Sequence, residues 1–312
     1  MVKNIRNGDK VISKKILPIL AGIGTSLIFG FSFLFTKETL EIMNPIELLA
    51  HRFFLATFFL CLLIIFQIIK IRLSWQMCCD LLLVSFFQPL CYFICETYGV
   101  QLTSATESGL VIALIPVAVA IFSSIFLKED VNWKQWLYIV LSVFGVIVIV
   151  IAQEKVIFGN HLFGILALLL AVLGAAIFNI LSRKFSAKYN PIEITTIMIF
   201  SGAIFFNMIY LFTTKNVNFY NYFQIFLLPR GIIGLGYLGI ISSVGAFFLV
   251  NYMLNQMPAA KSVAFVNLTT VVSVLAGILF RGEIFNWWQI NGALLIIIGV
   301  WGINLTSINN SQ

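Results

Sequence analysis

Long apolar stretches separated by short polar segments make up most of the chain. Each stretch is about 20 residues long, which is the length that a helix needs to cross a bilayer. The apolar positions are continuous and lack the strict alternation of a membrane β-barrel strand. We therefore predict ten helices. Their ranges are 16–36, 46–69, 78–100, 104–127, 134–152, 162–183, 192–213, 231–256, 259–281 and 286–306.

A second pattern is an internal repeat, because residues 98–146 recur 154 positions later as residues 252–300. A shorter echo, at a shift of 146, takes Asn44-Pro45-Ile46-Glu47 to Asn190-Pro191-Ile192-Glu193. Self-similarity of this kind indicates a duplicated structural unit. The predicted organisation is a basic N-terminal segment 1–15, a first repeat 16–152, a second repeat 162–306 and a tail 307–312.

An odd number of helices in each repeat reverses the direction in which the second repeat enters the membrane. Inverted repeats with a binding site between them are a recurrent design of transporters, because exchanging the conformations of the repeats moves the opening across the membrane. The predicted fold class is an all-α membrane protein with ten transmembrane helices in two inverted five-helix repeats.

Composition agrees with a membrane protein. Hydrophobic residues make up 61% of the chain and charged residues 10%, with a mean hydropathy of +1.03. Soluble domains carry about 25% charged residues, so this chain cannot cover a water-exposed surface and we expect the lipid bilayer as its surroundings. The net charge of +7 is spread between the apolar stretches and forms no basic patch, so we expect no nucleic-acid partner. The oligomeric state stays open.

The distribution of Lys and Arg predicts the orientation, since cytoplasmic loops of membrane proteins are enriched in both. With the N-terminus inside, the inner side holds Lys3, Arg6, Lys10, Lys14, Lys15, Lys70, Arg72, Lys128, Lys134, Arg183, Lys184, Lys188 and Lys261. The outer side holds Lys37, Lys155, Lys215, Arg230 and Arg281. We expect both termini in the cytoplasm of a prokaryotic cell, with the protein in its plasma membrane.

Three charged residues fall within the predicted helices, where burying a charge is costly. Arg52, Glu96 and Glu107 are all expected at a similar depth near the outer side. A salt bridge between Arg52 and one of the carboxylates would lower the cost for both partners. These residues are candidates for a gate or for coupling to an ion, and the alternative is an ion pair with a purely structural role.

Polar residues recur at helical spacing within the apolar stretches, so that each set shares a helix face. We predict a central cavity between the repeats that binds the substrate. Its candidate residues are Gln88, Tyr92, Asn179, Asn251, Asn267, Thr25 and Ser32. The alternative is that the amides form hydrogen bonds between helices. Pro89 and Pro116, both within predicted helices, favour kinks.

The sequence offers little for metal or catalytic chemistry. The five cysteines lie in or beside predicted helices without the histidines that a metal site needs, and we expect neither a metal nor a cofactor. His-Glu-x-x-His and a central pair of aspartates are both missing from the sequence, which argues against an intramembrane enzyme. No Gly-Lys-Ser/Thr phosphate loop occurs, so the energy source would be a gradient.

Several motifs recur in order along the chain. They are Asn44-Pro45 with Arg52, Tyr98-Gly99-Val100, Thr103-Ser104-Ala105, Leu114-Ile115-Pro116 running to Leu127-Lys128-Glu129, and Asn267-Leu268-Thr269 running to Gly282-Glu283. With these motifs, nearly the whole chain resembles the EamA-like permeases of the drug/metabolite transporter superfamily. The resemblance implies ten helices in two inverted repeats and the export or exchange of small metabolites, often amino acids. The second copy departs from the family by having Thr270 where a proline is usual.

The function expected from residues and resemblance together is secondary transport of small polar metabolites by alternating access. A flippase for lipid-linked groups would have the same fold and is the main alternative. An intramembrane enzyme is the third.

Overall fold

The computed structural model describes residues 2–71, 73–127, 132–151, 159–214, 219–257, 259–263, 265–283 and 286–309. All regular secondary structure in these ranges is helical. The prediction of an all-α protein is thereby confirmed for the described part of the chain.

The first half contains helices at each of its five predicted positions. They are α1 Val2–Thr39, α2 Pro45–Ile65, α3 Trp75–Leu102, α4 in two segments Ala105–Ile112 and Ile115–Leu127, and α5 Trp133–Ile151. Helix α1 begins at Val2, so the basic N-terminal segment continues directly into the first apolar helix. Helix α3 contains a π-helical stretch at Phe86–Cys91.

The second half follows the same order. Its long helices are α6 Asn160–Phe185, α7 Pro191–Thr213, α8 Pro229–Gln256, α9 in two segments Ala259–Val263 and Val266–Arg281, and α10 Trp287–Asn309. A short helix, Phe219–Gln224, and a 3-10 turn, Ile225–Leu227, lie between α7 and α8. Within the described residues seven helices are long and apolar enough to cross a membrane, namely α1 from Ile16 onward, α2, α3, α4 to Phe122, α6, α7 and α8. Helices α9 and α10 contain shorter apolar segments.

The echoed Asn-Pro-Ile-Glu sequence starts a helix in both halves. Asn44 precedes α2 and its side-chain oxygen accepts a hydrogen bond from the backbone N–H of Glu47 at 3.0 Å. Before α7, the backbone N–H of Asn190 donates to the carboxylate of Glu193 at 2.9 Å. Asparagine is a favoured cap, and proline in the first helical position needs no hydrogen-bond acceptor. The motif is therefore explained by helix initiation.

Helices α4 and α9, which occupy equivalent positions in the two halves, pack against each other in antiparallel orientation. The Ser273 hydroxyl donates to the carbonyl of Ala105 at 3.0 Å, and the Thr270 hydroxyl donates to the carbonyl of Gly109 at 3.2 Å. From the first contact to the second, the residue number rises along α4 while it falls along α9. This is the pattern of antiparallel helices.

Two further equivalent pairs behave in the same way. In α2 and α7, Asn207 donates to the carbonyl of Ala50 while Gly202 lies against the ring of Phe53. In α5 and α10, glycines allow close approach at Gly145 against Gly292 and at Gly299 against Ser142. Three equivalent helix pairs are thus antiparallel to each other.

The remaining contacts between helices also come in matched sets. Helix α1 packs on α8 and α9, and its equivalent α6 packs on α3 and α4. Helix α2 packs on α8, and its equivalent α7 packs on α3. The helix arrangement therefore has an approximate twofold symmetry.

Large apolar side chains remain on the outside of the helix bundle. Five tryptophans are all exposed and lie at or near helix N-termini: Trp75, Trp133, Trp136, Trp287 and Trp288. Their position agrees with an aromatic belt at a membrane surface.

Candidate functional site

A central cavity lies between the two halves of the molecule. It encloses about 760 Å³ of space, a figure that includes open solvent at its mouth. Its walls come from α1, α2, α3 and α4 of the first half and from α6, α8 and α9 of the second. The polar and charged lining residues are Thr25, Ser26, Ser32, Arg52, Gln88, Tyr92, Glu96, Asn179, Ser262 and Thr269.

Most of the predicted site residues meet in this cavity. From the substrate-binding set the structure brings together Thr25, Ser32, Gln88, Tyr92 and Asn179. From the gating and coupling set it adds Arg52 and Glu96. Helices distant in sequence contribute these residues, so the faces that helical spacing selected on α1, α3 and α6 line one shared cavity.

The rest of the cavity wall is strongly aromatic. The phenylalanines that line it are Phe29, Phe33, Phe93, Phe178, Phe247 and Phe265. Phe247 contacts Phe29 and Phe93 edge to face, with ring centroids 5.3 and 5.7 Å apart. Rings that pack on one another in this way form a rigid apolar wall.

Arg52 is 1% exposed and its side chain crosses from α2 to α8. Its Nε donates to the hydroxyl of Ser243 at 2.8 Å and its Nη2 donates to the hydroxyl of Ser242 at 3.1 Å. Its guanidinium carbon lies 4.2 Å above the centre of the Phe93 ring, a favourable position for a cation.

The predicted salt bridge of Arg52 with Glu96 or Glu107 is wrong. Among the described residues no carboxylate oxygen lies within 4.0 Å of the guanidinium nitrogens. The physical reason is that two serines of α8 satisfy one edge of the guanidinium, which the sequence pattern of α2 and α3 could not reveal.

The two buried glutamates have different surroundings. Glu96 is 2% exposed, lines the cavity and accepts a hydrogen bond from the hydroxyl of Thr97 at 3.2 Å. Glu107 forms a capping box with Ser104 at the start of α4 and lies 3.3 Å from Nε2 of His161. Glu107 therefore caps the N-terminus of α4, and it is not among the lining residues.

Asn251 and Asn267 are also outside the cavity lining. Asn251 is fully buried, where its amide oxygen accepts from Ser182 at 2.7 Å and its amide nitrogen donates to Thr195 at 2.9 Å. These bonds tie α8 to α6 and α7. Asn267 is partly exposed on α9. For Asn251 the structure favours the alternative of interhelical hydrogen bonding.

Ser242 and Ser243 were missed by the helical-stripe reasoning, although the repeat contained a signal. The shift of 154 takes Gln88-Pro89 to Ser242-Ser243, and π-helical stretches cover both places, at Phe86–Cys91 and Gly236–Ala246. A π-helical turn inserts an extra residue and redirects neighbouring side chains, often at functional sites.

Two cations cap the ends of equivalent helices. Lys37 Nζ donates to the carbonyls of Val100 and Gln101 at the end of α3, at 2.8 and 3.0 Å. Arg183 Nη1 donates to the carbonyl of Leu254 at the end of α8, at 2.5 Å. The repeat shift of 146 takes Lys37 to Arg183. Because α4 and α9 are antiparallel, the two caps lie at opposite ends of the molecule.

The end that carries Lys37 is further closed by charged contacts, and we call it the first-loop end because residues 40–44 lie there. Glu283, after α9, accepts from the backbone N–H groups of Ala105 and Thr106, both at 3.0 Å. Arg281 binds Glu38 and, at 2.9 Å, Glu41. The hydrogen bond from Arg281 holds the pKa of the Glu41 carboxyl below its ordinary value.

At the other end, Lys188 and Tyr189 both donate to the Asp80 carboxylate, at 2.5 and 2.6 Å. The hydrogen bond with Asp80 raises the pKa of the Lys188 ammonium. These residues are exposed or half-buried, and exposed ion pairs contribute little stability.

Comparison with known proteins identifies the family. The profile of the EamA-like transporter family matches residues 16–151 and again residues 162–305. The uncharacterized transporter YcxC of Bacillus subtilis (strain 168) is 33% identical over 287 residues, 92% of each chain. The uncharacterized transporter YyaM of the same strain is 27% identical over 289 residues, 89% of this chain and 90% of YyaM.

Two other likenesses are more distant. The S-adenosylmethionine uptake transporter of Rickettsia prowazekii (strain Madrid E) is 25% identical over 203 residues, which cover 64% of this chain and 63% of that protein. A solved crystal structure superposes with a TM-score of 0.68 at 17% identity, covering 95% of this chain and 99% of the other, and it supports the fold alone. With both halves matched by the family profile, the chain belongs to the EamA-like transporter family, a family of membrane transporters that are not enzymes.

Proposed function

We propose that this protein is an ATP-independent secondary transporter that moves small polar metabolites, amino acids or related zwitterions, by alternating access. The observation that carries the proposal is the central cavity, whose walls come from both halves of the molecule. A relative movement of the halves would change the side from which such a cavity is open.

We propose further that all ten helices cross the membrane and that the two halves are inverted. The support is that equivalent helices pack antiparallel in three pairs. A twofold axis that relates antiparallel helices must be perpendicular to them, and therefore lies in the membrane plane. The Lys and Arg distribution favours cytoplasmic termini and a first-loop end on the outside of the cell membrane.

The two cation caps fit the alternating-access proposal. Lys37 ties α1 to the end of α3 at the first-loop end, and Arg183 ties α6 to the end of α8 at the opposite end. Equivalent contacts at opposite faces are what two alternating gates require, because each can open while the other is kept closed.

The lining residues support a small zwitterionic substrate with an apolar portion. Arg52 and Glu96 supply opposite charges, Gln88 and Asn179 supply amides, and six phenylalanines supply the apolar wall. We propose export or exchange as the physiological direction. The Rickettsia relative is named for uptake, so the direction has to be measured separately.

The test is transport by the purified protein in sealed liposomes without ATP. Liposomes loaded with a mixture of unlabelled L-amino acids should accumulate one or more labelled amino acids transiently, as counterflow through an exchanger requires. Liposomes without protein are the control. Scrambling of a labelled lipid without amino-acid counterflow would contradict the proposal and favour the flippase alternative.

A further inference from the structure

Arg52 has one occupied and one unoccupied edge. A guanidinium carries five N–H donors, and the two that bind Ser243 and Ser242 lie on the edge formed by Nε and Nη2. The opposite edge, formed by Nη1 and Nη2, has no hydrogen-bond partner among the described residues, and Arg52 lines the cavity. This end-on edge has the geometry that binds a carboxylate through two parallel hydrogen bonds.

The surroundings of Arg52 keep the guanidinium in place. Its guanidinium carbon lies over the Phe93 ring, 4.2 Å from the ring centroid. The Ser243 hydroxyl donates its hydrogen to the carbonyl of Leu238 at 2.8 Å, so its oxygen is left to accept from Arg52 Nε. A side chain at Gly239 would meet the backbone carbonyl of Arg52 at 2.9 Å, which means that α2 and α8 are in direct contact here. A donor held from three directions loses little freedom when a ligand binds.

The charge on Arg52 is incompletely compensated by the protein. Serine hydroxyls are neutral, and a buried cation is costly unless an anion lies near it. Glu96 lines the same cavity, yet none of its oxygens lies within 4.0 Å of the guanidinium. The space between the two charges is therefore suited to a ligand that brings a charge to each.

A second observation, on another helix, also points to a ligand. Thr25 lines the cavity from α1 and is 5% exposed, and its buried hydroxyl has no hydrogen-bond partner in the described structure. Most buried hydroxyls are hydrogen-bonded, so an unpartnered one in the wall of a cavity indicates a missing polar partner.

Neither charge is repeated in the second half. The shift of 146 takes Arg52 to Met198, and the shift of 154 takes Glu96 to Val250. The helix caps and π-helical stretches are duplicated, whereas the two charged groups in the cavity are not. This is the pattern expected when the duplicated parts move the helices and the unique parts select the substrate.

We propose that Arg52 recognises the anionic group of the substrate through its end-on edge, and that Ser242 and Ser243 are positioning residues for it. The proposal rests on the central cavity being the transport site, and it names the group that the substrate must carry. Glu96 receives a cationic group of the same molecule, so that a zwitterion leaves the cavity neutral while a simple anion does not.

Binding to the detergent-solubilised full chain tests the proposal without requiring transport. The probes are the twenty common L-amino acids and their methyl esters, which differ only in lacking the free carboxylate. Ligands that bind the folded state raise its apparent stability. We expect at least one amino acid to raise the melting temperature and to bind at least tenfold more tightly than its ester by calorimetry.

The variants separate recognition from a structural role. Arg52→Lys keeps the charge and loses the planar fork, and Ser242→Ala and Ser243→Ala each remove one contact to it. All three should weaken binding of the amino acid by tenfold or more while leaving the affinity for the ester unchanged. The matched control is Ser142→Ala. Ser142 is buried, and its hydroxyl donates to the backbone carbonyl of Tyr138 within α5. This variant should bind the amino acid like the wild type.

Three results would overturn the proposal. The first is that amino acids and their methyl esters bind equally tightly. The second is that no amino acid binds. The third is that the serine variants lose stability but bind the amino acid as tightly as the wild type. Carboxylate-dependent binding without counterflow in liposomes would instead reject the transport mechanism, so the two failures are distinguishable. The single serine variants keep the test valid if Arg52→Lys does not fold.

Discussion

At the scale of single residues, the surroundings decide what identical side chains do. Asn179 and Asn251 are both amides within predicted helices. Asn179 donates to the carbonyl of Ala175 in its own helix and faces the cavity. Asn251 instead bonds to side chains of two other helices. Amides of the first kind are available to a substrate, and those of the second kind hold the protein together.

A prediction for Asn251 follows. Asn251→Leu preserves volume but removes the acceptor of the Ser182 hydroxyl and one of the two partners of the Thr195 hydroxyl, and both residues are fully buried. Leaving a buried polar group without a partner costs about 1–3 kcal/mol, so the variant should have a lower free energy of unfolding in denaturant titrations.

The control is Asn267→Leu, because Asn267 is partly exposed and should be less sensitive. Binding of a carboxylate probe should survive in Asn251→Leu, because its amide lies outside the cavity lining. A stable Asn251→Leu protein that no longer binds would place the residue in the substrate site after all.

At the scale of helices, glycines set the closest approaches. Gly145 of α5 faces Gly292 of α10, and a side chain there would meet the backbone carbonyl of Gly292 at 2.7 Å. Gly299 is similarly placed against the α5 backbone, with the Tyr138 carbonyl at 2.6 Å. Backbone atoms cannot move aside as a flexible side chain can, so the spacing between α5 and α10 depends on these glycines.

We therefore expect Gly145→Ala and Gly299→Ala each to destabilise the protein by about 1–3 kcal/mol, the usual cost of overpacking. Gly236→Ala is the matched control, since nothing lies within 4 Å of the position where its side chain would begin. Thermal unfolding of the three purified variants measures the difference. Equal melting temperatures for all three would mean that the α5–α10 contact is looser than the structure has it.

Proline explains two departures from regular helix. The residue before a proline is disfavoured in α conformation, and Gln88, which precedes Pro89, has φ −147° and ψ 115°. Helix α4 is divided after Ile112, whose carbonyl lies four residues before Pro116 and would clash with the proline ring in a continuous helix. The predicted kinks at both prolines are thus found. Helix α9 has Thr270 at the position equivalent to Pro116. Its second segment, Val266–Arg281, passes through Thr270 without a break.

At the scale of the whole molecule, the two cation caps are expected to control which side of the cavity is open. Lys37→Met removes the cap at the first-loop end, and Arg183→Met removes its equivalent at the opposite end. Hydrogen bonds from charged donors contribute about 1.5–3 kcal/mol, which corresponds to a shift of about 10- to 100-fold between the two states.

The measurement is labelling of Ser32→Cys in the cavity with a membrane-impermeant maleimide, applied to either side of sealed vesicles. The five native cysteines are replaced beforehand. Lys37→Met should accelerate labelling from the outside and slow it from the inside, and Arg183→Met should do the reverse. Shifts in the same direction for both variants would contradict both the inverted arrangement and the role of the caps.

The sequence by itself determined the helices, the duplication and the family. Hydropathy, caps and repeats are properties of neighbouring positions or of a fixed shift, and each can be read without knowing how helices pack. The same patterns selected Thr25, Ser32, Gln88, Tyr92 and Asn179, which all line the central cavity.

Only the tertiary structure decided which polar residues share the cavity and which bond to one another. The partners of Arg52 are 190 and 191 positions away in the chain, and those of Asn251 are on two other helices. The rotation and depth of each helix are set by packing against its neighbours. Helical spacing therefore predicts which residues share a face, and the neighbouring helices determine what that face contacts.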